Sequence, residues 1–141
     1  MSELEIVFEP FPADAVSRYV SDGVDLYNIA VTGMAEWYPA NFFLRSPRGE
    51  WLGGVLANIW GEWLHVRMLF VAASARGQGQ GRALLRAAEA YARDKGCCGS
   101  TLETFSFQAR PFYEREGYEV VGVLDDYPPG HQKFFLKKKL A

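Results

Sequence analysis

Cysteine and histidine are scarce in this 141-residue sequence, with two residues of each. Cys97 and Cys98 are adjacent, a spacing that suits neither an ordinary disulfide nor a CxxC metal or redox pair. A reducing compartment is therefore expected. His65 and His131 stand alone, with no cluster at metal-ligand spacing, so no metal is expected.

An excess of one charge and long hydrophobic runs are also missing. Fifteen Lys and Arg against seventeen Asp and Glu leave a formal net charge of −2, which provides no global positive field for nucleic acid. Every apolar stretch is interrupted well before the roughly 18 residues that a transmembrane helix needs. No basic region leads into an apolar run at the N-terminus, so no signal peptide is expected. We expect a cytoplasmic protein without a membrane or nucleic-acid partner.

The composition favours one packed domain. Apolar residues make up 49% and charged residues 23% of the chain, and no repeat or linker interrupts it. A single domain over residues 1–141 is therefore predicted.

Hydrophobic periodicity predicts an α/β (α+β) fold with a mixed, mostly antiparallel sheet flanked by helices. The expected order is β, α, β, β, β, α, β, α, β, β. These elements are expected at residues 4–8, 14–30, 41–45, 51–60, 63–71, 82–95, 100–105, 108–116, 118–124 and 132–136. The strands 51–60 and 63–71 are expected to form a central antiparallel hairpin.

The helix predicted from residue 82 has the clearest amphipathic pattern. Glu89 and Arg93 are four residues apart and are expected to pair on its solvent-facing side. The apolar stripe consists of Leu84, Leu85, Ala88, Tyr91 and Ala92.

A glycine-rich segment, Arg76-Gly77-Gln78-Gly79-Gln80-Gly81, separates a strand from this helix. Alternating glycines permit positive φ, so that backbone N–H groups can converge on an anion beside the helix N-terminus. The pattern predicts a pyrophosphate cradle. It lacks the GK[ST] ending of a P-loop and the GxGxxG of a dinucleotide fold, although a Rossmann-like binder remains a weaker alternative. The other alternative is that these glycines only form a tight turn between the strand and the helix.

Arg76, Gly79 and Gly81 fill the pattern [Q/R]xxGx[G/A], and in this the chain resembles the GCN5-related N-acetyltransferase (GNAT) family. The segment 112–118, FYEREGY, is similar to the family's late FYxxxGF segment, and the element order matches along essentially the whole chain. The resemblance implies transfer of acetyl from acetyl-CoA, as co-substrate, to a primary amine of a small molecule or protein by direct attack. The coenzyme-binding residues it implies are Leu69, Phe70, Val71, Arg76, Gly77, Gln78, Gly79, Gln80, Gly81 and Arg82.

Tyr113 is the candidate general acid, because the tyrosine of the family's late segment usually lies at the coenzyme sulfur. A phenol with a pKa near 10 is protonated at neutral pH and can give its proton to a departing thiolate. The alternative is a tyrosine that only packs in the core.

The general base has two candidates, and a third possibility is that no protein residue serves. His65 lies on the strand 63–71, where Trp63, His65, Arg67, Leu69 and Val71 are expected on one face. Family members often place a glutamate near that point. Glu103 is the rival, because a carboxylate in an apolar strand is costly to bury unless it is paired or used. Either residue could instead be structural, His65 as a hydrogen-bonded strand residue and Glu103 as a solvent-facing one.

The amine acceptor is not indicated by either motif. Trp37 and Tyr38 are the predicted acceptor-pocket residues, although aromatics near central strands more often belong to the core. The connections 22–40 and 125–131 are expected to set specificity. A homodimer is left open, and a coenzyme-A-binding module without turnover is the alternative function.

Overall fold

The computed structural model describes residues 3–141, which form two compact units, one ending at Ala35 and one running from Glu36 to Ala141. The first unit contains helix α1 (Asp14–Thr32), as predicted. Gly33 ends it with φ +72°, and its N–H donates to the Ile29 carbonyl at 2.7 Å. Residues 4–8, expected as a strand, have no regular secondary structure. Alternation marks strand character but does not supply the partner strand that stability requires.

The second unit is a seven-stranded sheet with two helices. Its strands are β1 (Tyr38–Pro39), β2 (Phe42–Arg45), β3 (Trp51–Trp60), β4 (Trp63–Val71), β5 (Gly99–Phe105), β6 (Glu119–Asp125) and β7 (Gln132–Lys139). The helices are α2 (Gln80–Asp94) and α3 (Arg110–Arg115), and a 3₁₀ turn, Ala73–Ala75, precedes α2. None of the helices described has the length and apolar character needed to cross a bilayer.

The strand order across the sheet is β1-β3-β4-β5-β7-β6, with β2 also paired to β3. Every pair is antiparallel except β4 with β5. This confirms the mixed, mostly antiparallel sheet and the central β3–β4 hairpin predicted from the sequence. The two-residue strand β1 was not indicated by the sequence pattern.

Helix α2 packs its apolar stripe on the sheet, as predicted. Leu85 and Ala88 are fully buried against the strands, where burying a leucine contributes roughly 1.5–3 kcal/mol. The strand residues of the same core include Val55, Leu64, Leu102 and Leu136. This packing fixes the N-terminus of α2 relative to the end of β4.

Glu89 corrects the predicted surface of α2, because its side chain is only 1% exposed. Its Oε1 accepts a hydrogen bond from Lys138 Nζ at 2.9 Å, and its Oε2 accepts one from the Tyr118 hydroxyl at 2.7 Å. Arg93, the expected partner, instead donates through Nε to the Leu140 carbonyl at 3.2 Å. Helical spacing does not reveal partners that come from distant parts of the chain.

An extra residue changes the faces of β4. Val66 and Met68 pair with neighbouring residues of β3, so Arg67 between them forms a β-bulge. Val66 is buried, but beyond the bulge Leu69 packs on the core while Met68 and Phe70 are exposed. This corrects the single alternation expected along the strand, since one inserted residue reverses the two faces.

The parallel pairing of β4 with β5 ends at this bulge. Its last paired residues are Val66 and Leu102, although β4 continues to Val71 and β5 to Phe105. The strands therefore separate at their C-terminal ends.

Candidate active site

The glycine-rich segment begins after the 3₁₀ turn and runs into α2. Gly77 and Gly79 have φ values of +77° and +76°, a region that strains any residue with a Cβ. Gly81 lies in the first turn of α2 without positive φ, and the atoms nearest to an added Cβ would be 3.8 Å away. A glycine is therefore required at positions 77 and 79 for its positive φ. The expectation that all three glycines adopt this conformation is wrong for Gly81.

The start of α2 presents backbone N–H groups without side-chain caps. The N-cap residue is Gly79, and no side chain bonds to the helix end. The first N–H groups of an α-helix have no intrahelical acceptor, and the helix dipole gives this end a partial positive charge. Such an end can bind a phosphate group.

A cavity of about 850 Å³ lies over this helix end. Every predicted coenzyme-binding residue except Gln78 lines it, and so do residues of the segment 107–116. The structure thus brings the end of β4 and the glycine-rich segment together on one cavity.

The charges that line this larger cavity are mostly positive. The Arg76 side chain is held in place because its Nε donates to the Val71 carbonyl at 2.8 Å. Glu116 also lines the cavity, but its carboxylate is bonded to Arg86 Nε at 2.9 Å. Arg82 and Arg115, which line the cavity too, form no ion pair with any residue in 3–141. Their charges are available to an anion.

A smaller cavity of about 360 Å³ lies between the separated ends of β4 and β5. It shares Leu69, Phe70, Gln108 and Ala109 with the larger one, so the two are adjacent. Glu103 and Tyr113 both line it, which brings two of the three predicted catalytic residues to one place.

His65 lies behind Glu103 and does not line the smaller cavity. Its Nε2 is 3.0 Å from Glu103 Oε2, and the two side chains are 38% and 34% exposed. The rival candidates for the base therefore form one pair, in which Glu103 is the member that faces the cavity.

The Tyr113 ring is buried on α3, in edge contact with Phe112 at 5.1 Å and with Tyr118 at 5.9 Å between centroids. Its hydroxyl has no hydrogen-bond partner within residues 3–141. No fully buried side-chain polar atom of the described chain lacks a partner, so this hydroxyl is accessible, and Tyr113 lines the smaller cavity. Burial of the ring raises the pKa of Tyr113, which keeps the hydroxyl protonated.

Trp37 and Tyr38 do not line either of these cavities. Tyr38 lies on β1, where Lys95 Nζ is 4.3 Å from the centre of its ring. Lys95 caps the C-terminus of α2, the end opposite the glycine-rich segment. Their placement gives no support to an acceptor-binding role.

The sequence patterns missed several residues of the site. Arg115 belongs to the late segment that carries the resemblance, so its position was visible although its role was not. Gln108 was expected only as the first residue of a helix over 108–116, but it lies in a turn before α3, where its Oε1 accepts a hydrogen bond from the Phe105 N–H at 3.0 Å. The bulge at Arg67 has no signal in the sequence.

Comparison with known proteins identifies the family. A family model described as "Acetyltransferase (GNAT) family" matches residues 7–118. The chain is 48% identical over 94 residues to a blasticidin-S acetyltransferase of Streptomyces morookaense, which covers 66% of this chain and 69% of that protein. It is 33% identical over 128 residues to an acetyltransferase of Agrobacterium fabrum, over 90% of this chain and 93% of that one.

A solved structure agrees with these relatives. The crystal structure of an acetyltransferase from Bacillus cereus aligns with a TM-score of 0.82 and 30% identity, over 94% of this chain and 97% of that chain. The family model, the curated relatives and the fold point to the same conclusion: this chain belongs to the GNAT family and is an acetyltransferase.

Proposed function

We propose that this acetyltransferase moves the acetyl group of acetyl-CoA to a primary amine of a small molecule, by direct attack of the amine on the thioester. One observation carries the proposal: the cavity with the cationic helix end adjoins the cavity that Glu103 and Tyr113 line. A site of this form offers anion binding at one end and proton transfer at the other.

The larger cavity fits the coenzyme. The N–H groups at the start of α2, beside Gly79, suit a pyrophosphate, and Arg82 and Arg115 supply unpaired positive charge. The pantetheine arm would follow β4 from Val71 toward the smaller cavity, where that strand has no partner on the β5 side.

Acetyl transfer to an amine requires a neutral amine and a proton for the departing thiolate. Glu103 is positioned to take a proton from the acceptor, because its carboxylate lines the smaller cavity. His65 Nε2 lies 3.0 Å from one oxygen of that carboxylate, and we assign it a positioning role. Tyr113 is the acid, since its hydroxyl is protonated, open to the cavity and bonded to no other described residue.

The test is a coenzyme-release assay over a panel of amines, with blasticidin S included because a relative is named for it. Acetyl-CoA at about 100 times its dissociation constant should raise the free energy of unfolding by about 2.7 kcal/mol. Release of coenzyme A with at least one small amine would support the proposal. Stabilisation without release from any amine would favour the coenzyme-binding module, and release only with peptide amines would move the acceptor to proteins.

Gly79→Val tests the coenzyme end. Valine at φ +76° strains the backbone and places a branched side chain at the helix end, so we expect acetyl-CoA binding to be lost. Gly96→Val is the matched control, because Gly96 has φ +83° at the other end of α2 with open space around it. Isothermal titration should show normal affinity in the control. Normal affinity in folded Gly79→Val as well would refute the cradle.

A further inference from the structure

A cluster of aromatic side chains at the end of β5 has no part in the mechanism above. The rings of Phe105 and Phe107 are stacked, with centroids 5.3 Å apart and planes within 7°. Tyr127 lies 5.6 Å from Phe105, and His131 meets Phe107 edge-on at 4.9 Å. We call these four residues the aromatic platform. It is open to solvent, since Phe107 is 55% and Tyr127 is 48% exposed.

The backbone beneath the aromatic platform is held by hydrogen bonds. The Ser106 N–H donates to the Gln132 carbonyl at 2.8 Å, and the Gln132 N–H donates to Ser106 Oγ at 3.0 Å. The His131 N–H donates to the Pro128 carbonyl at 2.9 Å. These bonds tie the β5 end to the β6–β7 connection. A ligand that binds there meets aromatic faces already in position, which lowers the entropy cost of binding.

The aromatic platform adjoins the acid–base end of the site. Glu103 and Phe105 alternate with the buried Thr104, so they lie on one face of β5, separated by about 7 Å along the strand. Phe107 lines the larger cavity. A molecule whose amine lies at Glu103 can therefore reach the aromatic platform with a ring a few bonds away.

Lys133 adds a charge to this surface. Its Nζ lies 5.0 Å from the centre of the Tyr127 ring, 5.3 Å from that of Phe135 and 5.8 Å from that of Phe105. It forms no ion pair within residues 3–141. An ammonium group without a carboxylate partner can donate to a carbonyl or carboxylate oxygen on a ring that stacks beside it.

We propose that the aromatic platform recognises the acceptor, and that the acceptor carries a planar conjugated ring with a carbonyl or carboxylate oxygen. The ring stacks on the platform, Lys133 donates to the oxygen, and the amine reaches Glu103. Aromatic stacking tolerates many ring types, whereas a puckered aliphatic ring of the same size has no flat π face and stacks less well. This assignment rests on the proposed acetyl transfer and specifies its substrate class.

A matched pair of amines tests the ring. Phenethylamine and cyclohexylethylamine have the same chain and ring size, but only the first ring is planar. The ratio of their kcat/KM values should fall about tenfold in Tyr127→Leu, because one stacking face is lost. Comparing the ratio between proteins cancels the difference in amine basicity. Phe43→Leu is the control, since Phe43 on β2 is also exposed, at 56%, and lines neither cavity, so this variant should keep the wild-type ratio.

Lys133→Met tests the polar contact. With para-aminoethylbenzoate and phenethylamine as the pair, the wild type should prefer the carboxylate, and Lys133→Met should lose that preference. A carboxylate preference that survives in Lys133→Met would overturn the role of this lysine.

Failure of the aromatic platform and failure of the proposed function give different results. Turnover of both amines with the same ratio in wild type and Tyr127→Leu would overturn the platform and leave acetyl transfer intact. If no amine is turned over, the proposed acetyl transfer is rejected. Saturation-transfer NMR of the two amines with the coenzyme-A-bound protein then tests the aromatic platform separately. If the phenethylamine signal is weaker in Tyr127→Leu than in the wild type, the aromatic platform is still a binding site for aromatic rings. Equal signals from both proteins would reject it.

Discussion

Two pairs of a basic and an acidic side chain in this protein have nearly the same nitrogen–oxygen distance, but one pair is buried and the other is exposed. Lys138 Nζ is 2.9 Å from Glu89, and His65 Nε2 is 3.0 Å from Glu103. The first pair is almost sealed, with side chains 18% and 1% exposed, and the second is more than a third open. Distance alone does not distinguish a structural pair from a chemical one.

The buried pair is completed by neighbours. The Tyr118 hydroxyl bonds to the second oxygen of Glu89 and lies 2.8 Å from Ser100 Oγ, so both carboxylate oxygens have partners. A buried charge that is fully hydrogen-bonded is stable but cannot move, and breaking it leaves an uncompensated charge. This network joins α2 to β5 and β7.

The exposed pair is incomplete by comparison. Only one oxygen of Glu103 is bonded to another described residue, and that partner is His65. The carboxylate also borders a cavity, so it can accept a proton from a molecule that enters. The two tyrosines differ in the same way. The Tyr118 hydroxyl is hydrogen-bonded within the buried network, whereas the Tyr113 hydroxyl has no hydrogen-bond partner among the described residues. A carboxylate oxygen without a hydrogen-bond partner, beside a cavity, is what distinguishes the exposed pair from the buried one.

The largest effect that we expect is on the rate of the chemical step, and it tests whether the open Tyr113 hydroxyl acts as the acid. Tyr113→Phe removes the open hydroxyl, so the chemical step should slow by about 10²–10⁴-fold, as expected when an acid catalyst is lost. Coenzyme affinity and unfolding free energy should be unchanged, since the ring packing remains. Single-turnover kinetics measure the step. Full turnover in this variant would make Tyr113 a packing residue.

Stability should show the next largest effect. Glu89→Ala leaves the Lys138 ammonium without its carboxylate and removes one of the two partners of the Tyr118 hydroxyl, at a cost of about 3 kcal/mol in unfolding free energy. Glu103→Ala should cost about 1 kcal/mol or less, because its pair is exposed. Denaturant titration of the two variants compares them directly. Equal losses would remove the distinction between the pairs.

Tyr118→Phe should have a smaller effect on the same network, about 1–3 kcal/mol, with normal turnover. It also has a signature in pH. Burial raises the pKa of Tyr118 above its ordinary 10.0, so folding favours the neutral phenol. The stability it contributes is complete below about pH 10 and is lost as the pH rises further, because only the unfolded chain then ionises.

Alkaline unfolding checks this assignment. The wild type should lose about 1.4 kcal/mol more per pH unit above pH 10 than Tyr118→Phe does. Lys138 and Glu89 are present in both proteins, so their contributions largely cancel in the difference. Identical slopes would mean that Tyr118 ionises as easily in the fold as in the unfolded chain.

The smallest effect concerns His65. If it positions Glu103, His65→Gln should lower kcat by about tenfold or less and leave the acidic limb of the pH–rate profile in place. Glu103→Gln is the comparison, and it should abolish that limb. Loss of the limb in His65→Gln alone would make the histidine the base. If the acidic limb persists in both variants and its midpoint follows the pKa of the acceptor amine, no protein residue acts as the general base.

The sequence by itself determined much of this protein. Local spacing placed α1, α2 and the β3–β4 hairpin, because each depends on contacts between residues close in the chain. The glycines between β4 and α2 predicted an anion cradle, since positive φ at Gly77 and Gly79 is a backbone requirement that residue type reveals. The pattern of Arg76, Gly79 and Gly81, the segment 112–118 and the element order carried the family resemblance before any contact was known.

Only the tertiary structure decided how the charged residues are used. Glu89 has partners 29 and 49 residues away, and His65 and Glu103 are 38 residues apart. The bulge at Arg67 reverses the faces of β4, and the strand expected near the N-terminus does not form. Periodicity records which side chains are apolar, whereas burial of a charge depends on which distant groups arrive beside it. That pairing exists only once the strands are assembled.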